Sequence, residues 1–142
     1  MGKQAEQTIA EELAAFAARL RATEIPTPVL ERARHLILDA VGIAHASTHY
    51  DFAHRSLSAV QELSGPEGGN TPVIALSARM TPRDAMLMNG ILIHGLDYDD
   101  THAAGVIHAT ASTLPCALGT AALAGLRSEE HTSELQSRQC IS

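Results

Sequence analysis

Apolar residues recur along the N-terminal part of the chain with the period of an α-helix. Ile9, Leu13, Phe16 and Leu20 follow one another at spacings of four, three and four residues. Side chains at these spacings lie on one face of a helix, since a helical turn contains about 3.6 residues. The pattern therefore predicts an amphipathic helix from about Thr8 to Ala22.

A second helix is predicted to begin at the Thr27-Pro28 pair. Thr is a favoured N-cap, and Pro is tolerated at the first helical position because its missing N–H has no helical partner there. The apolar positions that follow form a wide face: Val29, Ala33, Leu36, Ile37, Ala40, Val41 and Ala44.

A third helix is predicted over Phe52 to Leu63, with Leu57, Val60 and Leu63 facing inward. The stretch SGPEGGNTP, Ser64 to Pro72, is rich in turn-forming residues and predicts a loop. The apolar residues Val73 to Leu76 then fit either a short strand or an extended crossing.

Two further helices are predicted in the second half of the chain. Thr81 followed by Pro82, with an acid in the first turn, is a start signal for a helix that runs to about Leu96. The apolar segment from about Ala109 to Leu126 is also predicted to be helical. Pro115 inside it predicts a kink or a late start, because proline removes a helical hydrogen bond.

The composition agrees with an all-α fold of one domain. Of the 142 residues, 45% are hydrophobic but only 3% are aromatic, and alanine is abundant, which favours closely packed helices over a sandwich of sheets. The net charge of −6 argues against a nucleic-acid partner. No signal-peptide pattern and no apolar run of about 20 residues occurs, so we expect a cytoplasmic protein without a membrane partner.

The last residues depart from this pattern. RSEEHTSELQS, Arg127 to Ser137, resembles the in-frame translation of a common sequencing-adapter oligonucleotide. We therefore expect a truncated helical domain over residues 1–126 and an artefactual tail, not part of the fold, over residues 127–142. We also expect the natural protein to continue beyond Leu126.

A cluster of titratable residues lies between the last two predicted helices. The stretch HGLDYDDTHAAGVIH, residues 94–108, holds three histidines and three aspartates in fifteen positions. If the preceding helix persists, His94, Asp97 and Thr101 share one face. The small residues that follow would allow a turn that folds His108 back towards Asp97.

Three interpretations of this cluster stay open on spacing alone. The histidines and aspartates, His94, Asp97, Asp99, His102 and His108, offer enough ligands for a metal, although neither the H-E-x-x-H nor the EF-hand spacing occurs. A carboxylate and an imidazole held together can also act as general acid and base. Finally, Asp99, Asp100 and Thr101 can cap the next helix, and His94 can be a core histidine.

The motif resembles the signature of the MmgE/PrpD family, which includes 2-methylcitrate dehydratase, cis-aconitate decarboxylase and iminodisuccinate epimerase. The similarity lies in NGILIHGLDYDDTH and GVIHATASTLPCALGTAALAG, and upstream in a Leu38, Asp39 and Gly42 element. It extends over about residues 8–126. The family pattern often has His-Pro where this chain has His108-Ala109, and a loop one residue shorter before that histidine.

The resemblance implies the N-terminal part of a large, all-helical domain and a chemistry of proton abstraction next to a carboxylate. It implies no cofactor and no metal. Asp97 and His108 match the acid–base positions, and Thr101 matches a substrate-holding position. His102 and Asp100 are further candidates for substrate binding, and His102 is the alternative to His108 as the active-site histidine.

The chain contains no Lys or Arg between Gly90 and Leu126, although polycarboxylate substrates require such groups. We therefore predict a fragment without dehydratase or decarboxylase activity, from a full-length enzyme that forms a homodimer. Two other functions stay open: a metal-dependent hydrolase that uses the Asp/His cluster, and a non-catalytic helical interaction module.

Overall fold

The computed structural model describes residues 8–65 and 68–125, and most of these residues are helical. The elements in chain order are α1 (Ile9–Arg19), a 3₁₀ turn (Ala22–Glu24), α2 (Thr27–Ser47), α3 (Asp51–Ser64), β1 (Thr71–Pro72), β2 (Arg79–Met80), α4 (Pro82–His94) and α5 (Ala109–Leu123). The predicted all-α class is confirmed. No helix in the described ranges has both the length and the apolar character needed to cross a bilayer.

The chain divides into two compact units within α2, between Arg34 and His35. In the first unit, Thr8 and Glu11 form a capping box: Thr8 Oγ1 accepts from the Glu11 N–H at 3.3 Å, and Glu11 accepts from the Thr8 N–H at 2.8 Å. The predicted start of α1 is therefore confirmed. Its apolar stripe is exposed, however, and Phe16 keeps 60% of its accessible surface.

The beginning of α2 differs from the prediction by one residue. Thr27 is already helical, and the Leu30 N–H donates to the carbonyl of Pro26 at 3.2 Å, so Thr27 is not the N-cap. Local sequence signals often misplace a helix end by a residue or two, because neighbouring residues can share the role of cap.

In the second unit the core forms around α4. Met88, Leu92 and Ile93 are completely buried. Smaller residues allow the neighbouring helices to approach: Ala40 and Ala44 of α2, Ala53 of α3 and Ala85 of α4. Leu63, which was predicted to face inward, is 83% exposed, so the inward face of α3 is narrower than its sequence suggests.

Two buried polar side chains fix α4 to its neighbours. Ser47 at the end of α2 donates to the carbonyl of Leu92 at 2.6 Å. Asn89 accepts from the Ile74 N–H at 2.7 Å and donates to the carbonyl of Pro72 at 3.4 Å. Residues 73–76, predicted as a strand or an extended crossing, form a turn between β1 and β2, in which Ala75 has φ +61°. The side chain of Asn89 satisfies the backbone of this turn.

The N-terminus of α4 carries the predicted Thr81 cap, whose hydroxyl accepts from the Asp84 N–H at 3.3 Å. The buried Asp84 carboxylate accepts from the hydroxyls of Thr81 and Ser64, each at 2.7 Å, and from Arg83 Nε at 2.8 Å. The bond to Arg83, followed by those to Thr81 and Ser64, holds the pKa of Asp84 well below its usual range. The end of α3 is thereby joined to the start of α4.

Helix α5 starts at Ala109 as predicted and contains Pro115 in its interior. Proline leaves the carbonyl four residues earlier, that of Ala111, without its helical donor. Gly90 of α4 faces this carbonyl, and a Cβ added there would lie 3.3 Å from the oxygen. Cys116 of α5 is exposed.

Substitution of Asp84 by Asn is expected to lower the melting temperature at neutral pH, because the charged acceptor of three hydrogen bonds is lost. A lowered pKa in the folded state stabilises the fold above the unfolded-state pKa of about 4. The difference between the two proteins should therefore shrink as the pH falls below about 4. Thermal unfolding across this pH range measures it.

Asp51→Asn is the matched control, since Asp51 is exposed and only forms an ion pair with Arg55 at 3.7 Å. Exposed pairs of this kind contribute little to stability. An equal loss of stability in both variants at neutral pH would contradict the role given to Asp84.

Candidate active site

The end of α4 determines where the segment rich in Asp and His begins. The helix stops at His94, the Gly95 N–H donates to the Ile91 carbonyl at 2.9 Å, and Asp97 adopts a left-handed backbone at φ +58°. The helix therefore does not persist, and the prediction that His94, Asp97 and Thr101 share a helical face is wrong. Aspartate is one of the few residues that tolerate the left-handed region.

The segment that follows folds back on itself before α5 begins. His102 and Ile107 form an antiparallel bridge, with the His102 N–H donating to the Ile107 carbonyl at 2.9 Å. The Gly105 N–H donates to His102 Nδ1 at 3.0 Å. This compact loop returns the chain to His108, which precedes the first residue of α5.

Asp99 lies at the centre of the site, with only 1% of its side chain exposed. Its Oδ1 lies 3.1 Å from His94 Nδ1 and 3.2 Å from His108 Nδ1. The two imidazole rings are 5.0 Å apart and meet edge to face at 63°. Asp97 approaches from the exposed side, where its Oδ1 lies 3.9 Å from His108 Nε2. We call these four residues the Asp–His cluster.

The carboxylate of Asp99 is only partly satisfied by the described residues. His94 Nδ1 has hydrogen-bond geometry towards Oδ1, whereas His108 Nδ1 lies within ion-pair distance of it but out of line for a hydrogen bond. Within residues 8–65 and 68–125, Asp99 Oδ2 has no partner either. A buried polar atom without a partner costs about 1–3 kcal/mol, so the cluster favours a further hydrogen-bond donor or a ligand.

The same three residues have the donor set of a metal site. One ligand atom from each of His94, Asp99 and His108 lies within 4.8 Å of the others. Two imidazoles and a carboxylate suit zinc or another first-row transition metal. They also suit acid–base chemistry, in which a carboxylate orients an imidazole. Geometry alone supports both uses.

The predicted site residues separate into two groups. Asp97 and His108 are brought together, as the predicted turn requires. Thr101 and His102 are exposed and outside the cluster, although the Thr101 hydroxyl donates to the Asp99 backbone carbonyl at 3.3 Å. Asp100 accepts from the Thr110 N–H at 3.0 Å, which gives this residue the capping role left open from the sequence.

The sequence interpretation did not place Asp99 or His94 among the catalytic or substrate-binding residues. Both stayed open as metal ligands, Asp99 also as a helix cap and His94 as a core histidine. The predicted helix was extended past Gly95, which separated Asp99 from Asp97, and the side chain of His94 is 52% exposed rather than in the core. Gly95, directly after the helical run, was the signal that could have ended α4 before Asp97, since glycine commonly follows the last helical residue.

A groove of 520 Å³ lies beside His94, between α4 and α5. Its lining is largely apolar: Met86, Leu87, Gly90, Ile91, His94, Gly95, Ala111, Ser112, Pro115 and Cys116. No Lys or Arg occurs from residue 90 to residue 125 of the described chain. The groove therefore supplies shape and one imidazole, but no cationic partner for an anionic ligand.

Gly95 is expected to be essential for the position of His94. A Cβ at this residue would collide with the Phe52 ring of α3 and approach the Ile91 carbonyl at 2.8 Å. Gly95→Ala should therefore destabilise the fold by about 1–3 kcal/mol, as overpacking typically does. Denaturant unfolding measures the effect.

Gly42→Ala is the matched control, because Gly42 lies within α2 and a Cβ there meets nothing within 4 Å. Alanine at an open helical position should stabilise the protein by about 0.5–1 kcal/mol. A Gly95→Ala variant as stable as the unsubstituted protein would show that the contact with α3 does not require glycine next to His94.

The fold and the cluster together describe a helical domain with a candidate acid–base or metal-ligating site between the end of α4 and the start of α5. Comparison with known sequences then gives the family. The profile of the MmgE/PrpD N-terminal domain matches residues 11–135, and the chain belongs to this family. The matched range ends inside the tail that resembles adapter sequence, which lies outside the described residues.

Several curated proteins are similar to the chain. A cis-aconitate decarboxylase-like protein, oryM, from Aspergillus oryzae is 30% identical over 116 residues, which is 82% of this chain and 24% of that protein. The cis-aconitate decarboxylase of Aspergillus terreus is 28% identical over 111 residues, 78% of this chain and 22% of that protein. That of Mus musculus is 26% identical over 113 residues, 77% and 22% of the two chains. The chain thus spans about a quarter of the length of these relatives.

Proposed function

We propose that this chain is the N-terminal part of a lyase that acts on small di- or tricarboxylates. The observation that carries the proposal is the Asp–His cluster, in which a buried carboxylate contacts the Nδ1 of His108 while Asp97 lies 3.9 Å from the Nε2 of the same ring. An imidazole in this position can take or give a proton at a substrate carbon. The relatives named as cis-aconitate decarboxylases support the substrate class.

The proton steps are the same for either lyase reaction. In a dehydration, His108 Nε2 takes the proton from a carbon next to a carboxylate, the electron pair forms the new double bond, and the hydroxyl leaves as water after protonation by an acid. In a decarboxylation, the bond to the departing carboxylate breaks, carbon dioxide leaves, and an imidazolium proton reaches the carbon. Asp97 is the second acid–base group in both.

The 2-methylcitrate dehydratase-like activity predicted from the motif is the more specific form of this proposal, and decarboxylation of cis-aconitate is the form that the relatives' names favour. The names of the relatives also favour the acid–base use of the cluster over a metal-dependent hydrolase. Thr101, exposed beside the cluster, is proposed to hold the substrate. We also propose that the complete enzyme is a cytoplasmic homodimer.

The charges of the substrate require cationic partners that the described residues near the site do not provide. Carboxylates are bound most strongly by Arg and Lys. Because residues 90–125 contain neither, the proposed site is completed by residues from elsewhere in a longer protein. The 142-residue chain alone is therefore expected to have no lyase activity.

The test compares the 142-residue chain with the protein encoded by the complete gene, using cis-aconitate and 2-methylcitrate as substrates. The complete protein should release carbon dioxide from the first or water from the second, and Asp97→Asn or His108→Gln should lower kcat by about 10²–10⁴-fold. His49→Gln, an exposed histidine on the short segment before α3, is the control that should keep full activity.

His102→Gln tests which histidine is used. A small effect is expected, since His102 is exposed and bonded within its own loop. A loss as large as that of His108→Gln would transfer the acid–base role to His102. Turnover by the 142-residue chain, or none by the complete protein on either substrate, would contradict the proposal.

We further propose that residues 127–142 are not encoded by the natural gene. Sequencing the source DNA through the codon of Leu126 should reveal a reading frame that continues with a different sequence and supplies further Lys, Arg and His codons. A frame that encodes the same sixteen residues in independently prepared DNA would make the tail genuine.

A further inference from the structure

We propose that Asp99 is a positioning residue that holds both His94 and His108 with Nδ1–H towards it, so that each ring presents an unprotonated Nε2. The proposed function gives acid–base roles to His108 and Asp97, and no role of their own to Asp99 and His94. The use of His108 Nε2 as the base rests on the proposed function, but the orientation of the rings does not.

The first argument is the sharing of one acceptor. Both imidazoles approach the same atom, Asp99 Oδ1, and both do so through Nδ1, at 3.1 Å for His94 and 3.2 Å for His108. An ionised carboxylate only accepts, so a nitrogen that bonds to it must carry a proton. A neutral imidazole with Nδ1–H has its lone pair at Nε2. The hydrogen bond to Asp99 therefore assigns the Nδ1–H tautomer to His94, and the approach of His108 Nδ1 to the same oxygen at 3.2 Å favours the same tautomer for His108.

The second argument is burial. The Asp99 side chain is 1% exposed, whereas His94 and His108 are 52% and 28% exposed. A carboxylate in such surroundings cannot exchange a partner for water at little cost, so it holds its imidazoles firmly. In this structure His108 Nδ1 is close to Asp99 but not aligned for a hydrogen bond. Rotation of the ring about χ2, a torsion with a broad energy minimum, completes the bond.

The third argument is the direction in which His108 then acts. Its Nε2 lies on the side of Asp97, at 3.9 Å from Oδ1, which is too far for a direct hydrogen bond. Asp97 is 82% exposed and does not compete with Asp99 for the ring proton. The nitrogen that faces Asp97 is thus free to receive a proton, and the charge of Asp99 stabilises the imidazolium that forms.

The same orientation gives His94 a place in the site. Its ring meets His108 edge to face at 5.0 Å and lines the groove between α4 and α5. With Nδ1–H bonded to Asp99, His94 Nε2 becomes a second acceptor. One buried carboxylate would then orient two imidazoles, each with an Nε2 that accepts hydrogen bonds. Such an arrangement is suited to hold a protonated carboxyl or hydroxyl group of a ligand.

The test is a long-range ¹H–¹⁵N NMR experiment on the 142-residue chain, at about pH 8.5, where unperturbed histidines are neutral. Both His94 and His108 should show the Nδ1–H tautomer in the unsubstituted protein. Asp99→Ala should shift both rings towards Nε2–H. Asp97→Asn is the matched control, an aspartate beside the same imidazole that should leave both tautomers unchanged.

The unsubstituted protein alone can overturn the inference, whatever the stability of the variants. His108 in the Nε2–H form would show that Asp99 does not orient it, and a tautomer change in Asp97→Asn would give that role to Asp97. Titration with Zn²⁺ is the third measurement. Stoichiometric binding that is lost in Asp99→Ala would make the cluster a metal site and would also overturn the inference.

Activity of the complete protein separates this inference from the proposed function. Asp99→Asn should lower kcat by about 10²–10⁴-fold with a small change in KM, since a misoriented base impairs the chemical step more than binding. The predicted tautomers without any lyase activity would refute the function and keep the positioning role. Lyase activity with the opposite tautomers would refute the positioning role and keep the function.

Discussion

The burial of α4 is the constraint on which the rest of the second unit depends. A helix packed by neighbours on several faces must satisfy its polar side chains and its ends from those neighbours. Asp84 is bonded by the end of α3, and Asn89 by the turn between β1 and β2. The backbone carbonyl of Leu92 accepts from Ser47 of α2. Because hydrogen bonds fix α4 at these three positions, they also fix its end and therefore the position of His94.

The packing of α4 on α5 uses small residues to bring the two histidines together. Gly90 faces the Ala111 carbonyl, and a Cβ at Gly119 would collide with the Met86 side chain. His94 ends one helix and His108 precedes the other, so close approach of the helices places their rings 5.0 Å apart. The buried carboxylate of Asp99 then occupies the position between them. The close packing of α4 on α5 therefore determines both the approach of the two histidines and their arrangement around the carboxylate of Asp99.

Much of the secondary structure could be predicted, because local signals determine where most helices begin. The starts of α1 and α5 and the Thr81 cap were all predicted from the sequence. The site was less predictable. The helical period was extended past Gly95, and the left-handed turn at Asp97 and the bridge between His102 and Ile107 are irregular structures that hydrophobic periodicity does not indicate. Of the two effects predicted for Pro115, the late start is wrong, since α5 begins before this residue and continues after it.

The left-handed backbone of Asp97 has an evolutionary consequence. A residue at φ +58° is restricted to Asp, Asn and Gly if the turn is to form without strain. Only one of these three carries a carboxylate, so the fold and the proposed chemistry select Asp for different reasons. A descendant of this protein that lost its activity but kept its structure would retain few choices here. Asn at this position would mark such a pseudoenzyme, since it preserves the turn and removes the acid.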